Sequence, residues 1–224
     1  METELKLNAE RLKDPLAVLS DPFLAHLILP DSIKTTEMDS RYYDTAEKTL
    51  KSLGCSLRLR RENQKILLTI KSTQKADQGL HQRLEWSIEM PDEAGAELFT
   101  GKGLDLQGFI RSAGREGDRD ERLYEIVRRL KGKPLLELCQ VTFTRIACDV
   151  GYGDTRMELA LDRGILKAGG RMAPFCEFEL ELKEGDVRDL MVLGQEMAHR
   201  YDLQPENRSK LARCLALIGE ENDG

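Results

Sequence analysis

Charged residues alternate with apolar or small ones at both ends of the chain. The first segment, METELKL, carries Glu2, Glu4 and Lys6 at every second position. The late segment FCEFELELK repeats the pattern with Glu177, Glu179 and Glu181. Because successive side chains of an extended strand point to opposite faces, each segment predicts a strand with one charged and one apolar face. Carboxylates gathered on such faces are ligands that Mg²⁺ or Mn²⁺ prefers.

Basic residues follow the same alternation in the segments between. Arg58 and Arg60 share one face of SLRLRRE, Lys71 lies in KILLTIKS, and Arg83 shares a face with Glu85 in QRLEW. Arginine suits phosphate because its planar fork of donors matches the non-bridging oxygens, and lysine adds a compact positive charge. The alternation therefore predicts a basic surface built from several strands.

Later segments add charges of both signs. In VTFTRI, strict alternation puts Arg145 on the side of Val141 and Phe143, so its direction stays open unless a bulge resets the register. Glu158 and Asp162 flank Ala160 in MELALDR. The closing segment NRSKLAR offers Ser209, Lys210 and Arg213.

Acidic and basic residues together can bind a polyphosphate with its divalent cations. The phosphate oxygens need basic residues, and the cations need carboxylates. Alternating Glu and Lys is also typical of the solvated face of a half-buried antiparallel sheet. The distribution of charge along the chain favours polyphosphate binding, because the middle strands carry mainly Arg and Lys and the terminal strands mainly Glu. A solvated face has no need to sort its charges by strand.

Composition limits the classes of partner. The 224 residues include 34 Lys and Arg against 40 Asp and Glu, a net charge of −6, so the surface as a whole repels nucleic acid and anionic membranes. No apolar run approaches the roughly 20 residues of a membrane-spanning helix, and the first strand leaves no room for a signal peptide. We expect a cytoplasmic monomer or homodimer with reduced, buried cysteines and without an imidazole metal site.

Short strand signals dominate the chain. Besides the two glutamate segments they are RYYDT, SLRLRRE, KILLTIKS, LHQRLEWSIEM, PLLELCQVTFTRIACDV and TRMELALDRG. Helices are predicted at DPLAVLSDPFLAHLILP, DEAGAELF, GDRDERLYEIVRRLKGK and about 187–201, before the closing segment NRSKLARCLALIG. No low-complexity linker separates these elements, which predicts a single domain over residues 1–224.

About eight strands with mostly short connections favour an α+β fold built on a closed antiparallel barrel, since closure removes exposed edges. A barrel filled with apolar side chains would leave the amphipathic helices no apolar sheet surface to pack on. The inverted arrangement turns the apolar faces outward beneath the helices and the charged faces into a wide central tunnel. We therefore expect a barrel with a charged interior, flanked by helices.

A series of charged motifs runs along nearly the whole chain. In order they are ExExK (Glu2, Glu4, Lys6), RxR after YYDT (Arg58, Arg60), TIK (Lys71), RxE (Arg83, Glu85), a strand arginine (Arg145), ELALDRG (Glu158, Asp162), ExExE (Glu177, Glu179, Glu181) and SKxxR (Ser209, Lys210, Arg213). Each motif is short, but their shared order and spacing resemble the CYTH superfamily, the triphosphate tunnel metalloenzymes. Within it, the chain is most similar to bacterial inorganic triphosphatases.

The resemblance implies an antiparallel tunnel that uses Mg²⁺ or Mn²⁺ to hydrolyse inorganic triphosphate to pyrophosphate and phosphate. The residues that it implies for binding the triphosphate are Lys6, Arg58, Arg60, Lys71, Arg83, Arg145, Lys210 and Arg213. Those that it implies for the metal are Glu2, Glu4, Asp162, Glu177, Glu179 and Glu181. The implied catalytic set is Glu2, Glu4, Lys6 and Lys71. Among the late glutamates, register favours Glu177 and Glu179 and leaves Glu181 open.

Other functions share these motifs. A class IV adenylyl cyclase is one, but no segment can be assigned to purine recognition and aromatic residues make up only 5% of the chain. Triphosphatases that act on thiamine triphosphate or nucleoside triphosphates are others. A non-catalytic polyphosphate or nucleotide-binding module is disfavoured because binding alone could dispense with several carboxylates. A purely structural charged barrel is the remaining alternative.

Overall fold

The structure is a computed structural model that describes residues 2–72, 76–90 and 121–219. Its strands are β1 (Glu2–Asn8), β2 (Lys34–Asp44), β3 (Cys55–Glu62), β4 (Lys65–Ser72), β5 (Leu80–Arg83), β6 (Glu85–Met90), β7 (Leu136–Tyr152), β8 (Thr155–Ala168), β9 (Arg171–Glu184) and β10 (Gln204–Pro205). Its helices are α1 (Pro15–Leu19), α2 (Pro22–Ala25), α3 (Thr49–Ser52), α4 (Glu121–Leu130), α5 (Val187–Tyr201) and α6 (Lys210–Ala216). None of these helices has the length and apolar character needed to span a membrane. The helix predicted at DEAGAELF lies outside the described residues.

The strands form one antiparallel sheet in the order β10-β1-β9-β8-β7-β2-β3-β4-β6. The run from β5 to β6 joins its two edges, because Arg83 of β5 pairs with Glu2 of β1 while Glu85 of β6 pairs with Lys71 of β4. Only Leu84 separates β5 from β6. The sheet therefore curls around a central tunnel, and the antiparallel barrel fold with flanking helices is confirmed.

The strand count differs from the predicted eight, since the described residues form ten strands. One predicted strand, LHQRLEWSIEM, is divided at Leu84 into β5 and β6. The two-residue β10 is an addition that pairs with Leu7 and Asn8 of β1. Neither difference changes the architecture.

One apolar cluster covers the outside of β1, β8 and β9. Leu5 and Phe178 of the sheet pack with Leu193 and Met197 of α5, and α1 and α2 add to the same cluster. Gly194 of α5 lies so close to β1 that a Cβ at this position would overlap the Leu5 side chain. The helix can therefore approach the sheet because this position has no side chain.

A second apolar cluster covers the outside of β3 and β4. Its sheet residues include Leu57, Leu59, Leu68 and Ile70, and its helix residues are Leu123, Ile126, Val127 and Leu130 of α4. These four helix residues have the spacing that predicted an amphipathic helix. Together the two outer clusters confirm the inverted arrangement, in which apolar faces point outward beneath helices.

A third apolar cluster lies on the inner face of β7 instead of the outer one. Val141 and Phe143 pack with Leu211 and Leu215 of α6, and these two leucines line the same interior cavity as Arg145. The ladder between β7 and β8 runs through Arg145 without a register shift. Strict alternation therefore holds, and Arg145 points inward beside apolar neighbours. The expectation that apolar faces point outward is wrong at this strand because α6 covers it from inside.

The tight turn between β8 and β9 aligns their charged residues. Ala168 pairs with Arg171, so Gly169 and Gly170 alone form the turn, with φ of 54° and 77°. Positive φ at both central residues is the pattern of a type I′ hairpin, which glycine adopts without strain. The register that follows pairs Asp162 directly with Glu177.

Candidate active site

The tunnel encloses a cavity of about 520 Å³ that is lined by charges from many strands. Four predicted carboxylates line it and form the acidic wall, Glu2, Glu4, Glu179 and Glu181. The predicted basic residues in the lining are Lys6, Arg58, Arg60, Lys71, Arg83, Arg145 and Lys210. Within the described ranges, the predicted site residues that stand behind this lining are Asp162, Glu177 and Arg213, all buried. The fold thus brings residues from both ends of the chain to one site.

Glu2 lies between two basic residues of the lining. Lys71 Nζ is 2.8 Å from both carboxylate oxygens of Glu2, and Arg83 Nε is 3.2 Å from Oε2. Burial raises the pKa of Glu2, but Lys71 and Arg83 outweigh burial and lower this pKa to about 2. Glu2 is therefore ionised at neutral pH.

Lys71 itself is held between two carboxylates. Its Nζ also lies 2.8 Å from Glu85 Oε2. Burial and the nearby charge of Arg58 lower the pKa of Lys71, although Glu2 and Glu85 oppose them. A lysine with a lowered pKa gives up its proton more readily than an ordinary one.

The register between β1 and β9 joins the two glutamate motifs, because Glu4 pairs with Glu181 and Lys6 pairs with Glu179. Lys6 Nζ lies 3.2 Å from Glu4 Oε1 and 3.1 Å from Glu179 Oε1. Arg83 donates to Glu4 from the other side. Burial lowers the pKa of Lys6, but the surrounding glutamates outweigh burial and raise it, so Lys6 stays charged.

Arg58 and Arg60 form the arginine pair on β3. Arg60 Nε donates to Ser40 Oγ at 2.9 Å, and its Nη1 lies 3.5 Å from Glu62. Burial, together with the like charges of Arg58 and Arg145, lowers the pKa of Arg60 to about 10. The Nε of Arg58 is buried and finds no acceptor in the part of the chain that the structure describes. A buried donor without an acceptor costs free energy, which an anion in the cavity would remove.

Asp162, Glu177 and Glu179 form the buried acidic trio. Among the described residues they are the one group of three possible metal ligands whose oxygens lie within 4.8 Å of one another. Lys210 Nζ contacts all three, at 2.7 Å from Asp162 Oδ2 and 2.9 Å from Glu179 Oε1. Burial lowers the pKa of Lys210, but the trio outweighs burial and raises it.

Lys210 reaches this position because it is the first residue of α6. Ser209 is the N-cap of α6 and accepts a hydrogen bond from the backbone N–H of Ala212 at 3.1 Å. The hydroxyl thus satisfies one of the free N–H groups at the helix start, the usual role of a serine N-cap. This contact supports a local structural role for Ser209.

Arg145 also binds the trio. Its Nε and Nη2 lie 2.7 Å from the two oxygens of Asp162, a bidentate pair, and Nη2 also contacts Glu179. Burial lowers the pKa of Arg145, but Asp162 and Glu179 outweigh burial and raise it well above its usual value. Arg213, behind the lining, donates to Glu177 Oε2 at 2.5 Å and to Glu10 Oε1 at 2.6 Å.

The cavity lining also contains residues outside the predicted site, among them Glu85 and His81. Glu85 contacts Lys71. It lies two residues after Arg83, and this spacing indicated that both residues face the cavity. His81 lies two residues before Arg83, and its Nε2 is 3.1 Å from the carbonyl oxygen of Glu206. Alternation along LHQR would have placed His81 inward. Burial and the charge of Lys6 lower the pKa of His81 to about 4, so it is neutral at pH 7.

The acidic wall and the buried trio both offer carboxylate oxygens to a divalent cation, and Glu179 belongs to both sets. The carboxylates of the wall line a cavity that can hold water, and a hard cation such as Mg²⁺ keeps part of its water shell. Glu181 is the most exposed of them, with 30% of its side chain accessible. Carboxylates of both sets contact basic residues: Glu2 and Glu4 contact Arg83, and the trio contacts Lys210 and Arg145.

Comparison with known proteins agrees with this geometry. A family model described as the CYTH domain matches residues 1–215. The chain belongs to the CYTH domain family. A curated relative, an inorganic triphosphatase from Haemophilus influenzae, is 28% identical over 180 residues, which are 80% of this chain and 46% of that protein. This CYTH chain therefore spans about half the length of the curated relative that it matches.

Solved structures share the CYTH fold. An adenylyl cyclase candidate from Hippeastrum, described by its dominant triphosphatase activity, is 22% identical with a TM-score of 0.62, and the match covers 96% of both chains. An adenylate cyclase candidate from Bacillus halodurans is 17% identical with a TM-score of 0.54, and covers 95% of this chain and 96% of that one. At these identities the likeness shows the fold alone.

Proposed function

We propose that this CYTH protein hydrolyses inorganic triphosphate to pyrophosphate and phosphate with the help of a divalent cation. The observation that carries the proposal is the buried Nε of Arg58, which has no acceptor among the described residues and lies in the same cavity as Arg60 and the acidic wall. A buried guanidinium donor that lacks an acceptor favours an anion as its partner, and the other basic residues around the cavity add positive charge for a polyanion. The name of the Haemophilus influenzae relative, an inorganic triphosphatase, supports the same activity.

The basic residues of the lining would hold the substrate. The arginine pair and Arg145 present guanidinium groups that can each bind phosphate oxygens in a bidentate way. Lys71, whose lowered pKa makes it the more ready proton donor, would neutralise or protonate the departing pyrophosphate. Catalysis would rest chiefly on positioning and electrostatic stabilisation, as is general for phosphoryl transfer.

The carboxylates of the acidic wall and of the buried trio would hold the cation; they are Glu2, Glu4, Asp162, Glu177, Glu179 and Glu181. When bound, Mg²⁺ or Mn²⁺ supplies positive charge to the phosphate oxygens and helps to orient the triphosphate. A carboxylate of the wall would accept a hydrogen bond from the attacking water and align it with the terminal phosphorus. Water adds there, the bond to the bridging oxygen breaks, and phosphate and pyrophosphate leave.

A second candidate substrate is a triphosphate with an organic group. Part of the lining is apolar, and it includes Tyr42, Leu138, Leu211 and Leu215. Such a surface could contact a base or another ring, as a nucleoside triphosphatase or an adenylyl cyclase would require.

The proposal also includes a cytoplasmic location, a single domain over residues 1–224 and a monomeric or dimeric state.

A substrate panel tests the activity. The full chain is incubated with triphosphate, ATP, thiamine triphosphate and longer polyphosphate, each with Mg²⁺, Mn²⁺ or EDTA, and the products are separated by ion chromatography. We expect phosphate and pyrophosphate from triphosphate, at the highest kcat/KM of the panel, and none in EDTA. A higher kcat/KM with ATP would favour the second candidate, and cyclic AMP would identify a cyclase. Binding without turnover for every substrate and metal would establish a binding module.

A further inference from the structure

Two phenylalanine rings meet edge to face beside the basic residues of the cavity. Phe143 of β7 and Phe175 of β9 both pair with Gly164 of β8, which lies between them. Their ring centres are 5.7 Å apart, and the ring planes are inclined by 67°. A Cβ at Gly164 would lie 2.4 Å from the Cβ of Phe143, so this glycine leaves room for the ring. Both phenylalanines are buried, and neither belongs to the lining of the tunnel cavity.

Three basic residues of the cavity lining lie close to the Phe143 ring. The guanidinium carbon of Arg60 lies 5.6 Å from the ring centre, that of Arg145 lies 5.9 Å away, and Lys210 Nζ lies 5.2 Å away. A cation within about 6 Å of a ring centre is attracted by the negative charge of the π-face. Because these residues come from β3, β7 and α6, one ring is a common contact of three elements.

Phe175 continues this contact on the side of α6. Lys210 Nζ lies 5.5 Å from its ring centre, and the guanidinium carbon of Arg213 lies 5.3 Å away. Edge-to-face packing restricts the direction of each ring, and the buried surroundings restrict it further. The two rings therefore form a fixed support under the basic residues.

A π-face can hold a cation in a way that a carboxylate cannot. A carboxylate cancels the positive charge that a phosphate needs, whereas a phenyl ring carries no net charge and leaves the cation available. The ring also attracts several cations at once, which offsets part of their mutual repulsion. Such a support suits a site that has to keep basic residues together before an anion arrives.

Arg60 has a weaker carboxylate contact than Arg145. Its Nη1 lies 3.5 Å from Glu62, whereas Arg145 binds the two oxygens of Asp162 at 2.7 Å each. Burial and the like charges of Arg58 and Arg145 lower the pKa of Arg60 to about 10. The attraction of the ring therefore matters more for the position of Arg60 than for that of Arg145.

We propose that Phe143 is a positioning residue for substrate binding, whose π-face holds Arg60 toward the triphosphate without cancelling its charge. The inference rests on the proposed function for the identity of the ligand. Phe143 acts through the guanidinium of Arg60 and does not itself touch the substrate.

Replacing the ring by an aliphatic side chain is the first test. The Kd for triphosphate is measured by calorimetry in EDTA, and urea unfolding verifies that each variant folds. We expect Phe143→Leu to weaken triphosphate binding about tenfold, since cation–π contacts are strongest in desolvated surroundings. Phe178→Leu, in the outer apolar cluster under α5, is the matched control and should leave the Kd within about twofold.

Fluorinated side chains separate the π-face from packing. Phe143 is replaced by phenylalanine with one, two or three ring fluorines, each of which withdraws charge from the π-face and changes the volume of the ring little. We expect the Kd for triphosphate to rise by about twofold with each fluorine. The same series at Phe178 should leave the Kd unchanged. If Phe143→Leu does not fold, this series decides the question, because it keeps the ring.

A double-mutant cycle tests the route through Arg60. We expect Phe143→Leu to weaken triphosphate binding by less than about threefold when Arg60→Gln is already present, because the cation that the ring holds is gone. The same tenfold loss in both backgrounds would overturn the inference and leave the proposed function standing, and so would a Kd that does not change along the fluorine series. If the unaltered protein neither binds nor hydrolyses triphosphate, the proposed function fails, and the positioning role fails with it.

Discussion

Arg58 differs from its neighbours in the lining because its buried Nε has no acceptor among the described residues. Lys71, Arg83 and Arg145 each pair with carboxylates, which lowers the cost of burying their charges. An unpaired arginine donor inside a protein is expensive, so its retention points to a ligand that completes it.

Replacing this arginine tests that interpretation. We expect Arg58→Ala to lower kcat/KM for triphosphate by about 10²-fold or more, since it removes charge stabilisation in an enclosed site. The measurement is phosphate release with Mn²⁺ at several substrate concentrations. Arg61→Ala is the matched control on the same strand, because Arg61 is exposed on the opposite face. Equal rates for the two variants would contradict a role of Arg58 in binding substrate.

His81 makes stability depend on pH. Its pKa is about 4 in the folded protein, below the ordinary value of 6.5, because burial and Lys6 disfavour the charged ring. The unfolded chain therefore binds this proton more tightly, and stability is lost as the pH falls from about 6.5 to 4. The full effect is about 3 kcal/mol, since each pKa unit corresponds to about 1.4 kcal/mol.

Urea unfolding in EDTA at pH 7 and pH 5 measures this effect. We expect the unaltered protein to lose more free energy of unfolding between the two pH values than His81→Asn does, because asparagine has no proton to gain. The exposed histidine variant His199→Asn should behave like the unaltered protein. The same loss in all three proteins would show that His81 is not responsible.

At the scale of elements, α5 and β1 meet at one glycine. Gly194 packs against Leu5, the residue that lies between the inward-facing Glu4 and Lys6. The amphipathic pattern of residues 187–201 predicted that this helix needed an apolar partner. It could not identify the partner strand or the point of closest approach, because these depend on the three-dimensional path of the chain.

Filling this contact should destabilise the protein. We expect Gly194→Val to lower the free energy of unfolding by about 1–3 kcal/mol, because added methyl groups would force Leu5 and α5 apart. The measurement is the urea midpoint, with Val192→Ala on the exposed side of the same helix as control. An unchanged midpoint for Gly194→Val would mean that the helix does not pack closely on β1.

At the scale of the whole molecule, the closing run β5 to β6 brings the first strand beside the basic strands. Glu2 and Lys71, 69 positions apart, are in contact because this run pairs with β1 on one side and β4 on the other. Closure therefore places charges of opposite sign around one cavity. A ligand that contacts all of these strands should stabilise the whole barrel.

Ligand binding should thus raise the melting temperature. At about 100 times its Kd, a ligand of the folded state contributes about 2.7 kcal/mol, which for a chain of this size is about 5 °C or more. We expect triphosphate with Mn²⁺ to give this shift in differential scanning fluorimetry, and sodium sulfate at equal ionic strength to give much less. Equal shifts for the two salts would favour a purely structural role for the charged tunnel.

The sequence by itself determined which side chains share a face of each strand, because alternation is a local property of an extended chain. It therefore predicted the inward direction of Glu2, Glu4 and Lys6, and its motifs predicted the family and the tunnel. It left Arg145 open, since local pattern does not say whether apolar neighbours are covered from outside or from inside. The position of α6 decided that Phe143 and Arg145 both face inward.

Only the tertiary structure decided which inward charges line the cavity and which lie behind its lining. Asp162, Glu177 and Glu181 look alike in sequence, because each is an acidic residue in a segment where charged and apolar residues alternate. Cross-strand register and the start of α6 place Lys210 against the first two and leave Glu181 in the lining. These contacts join residues that are far apart in the chain, and their energies depend on burial and distance, which the alternating pattern does not contain.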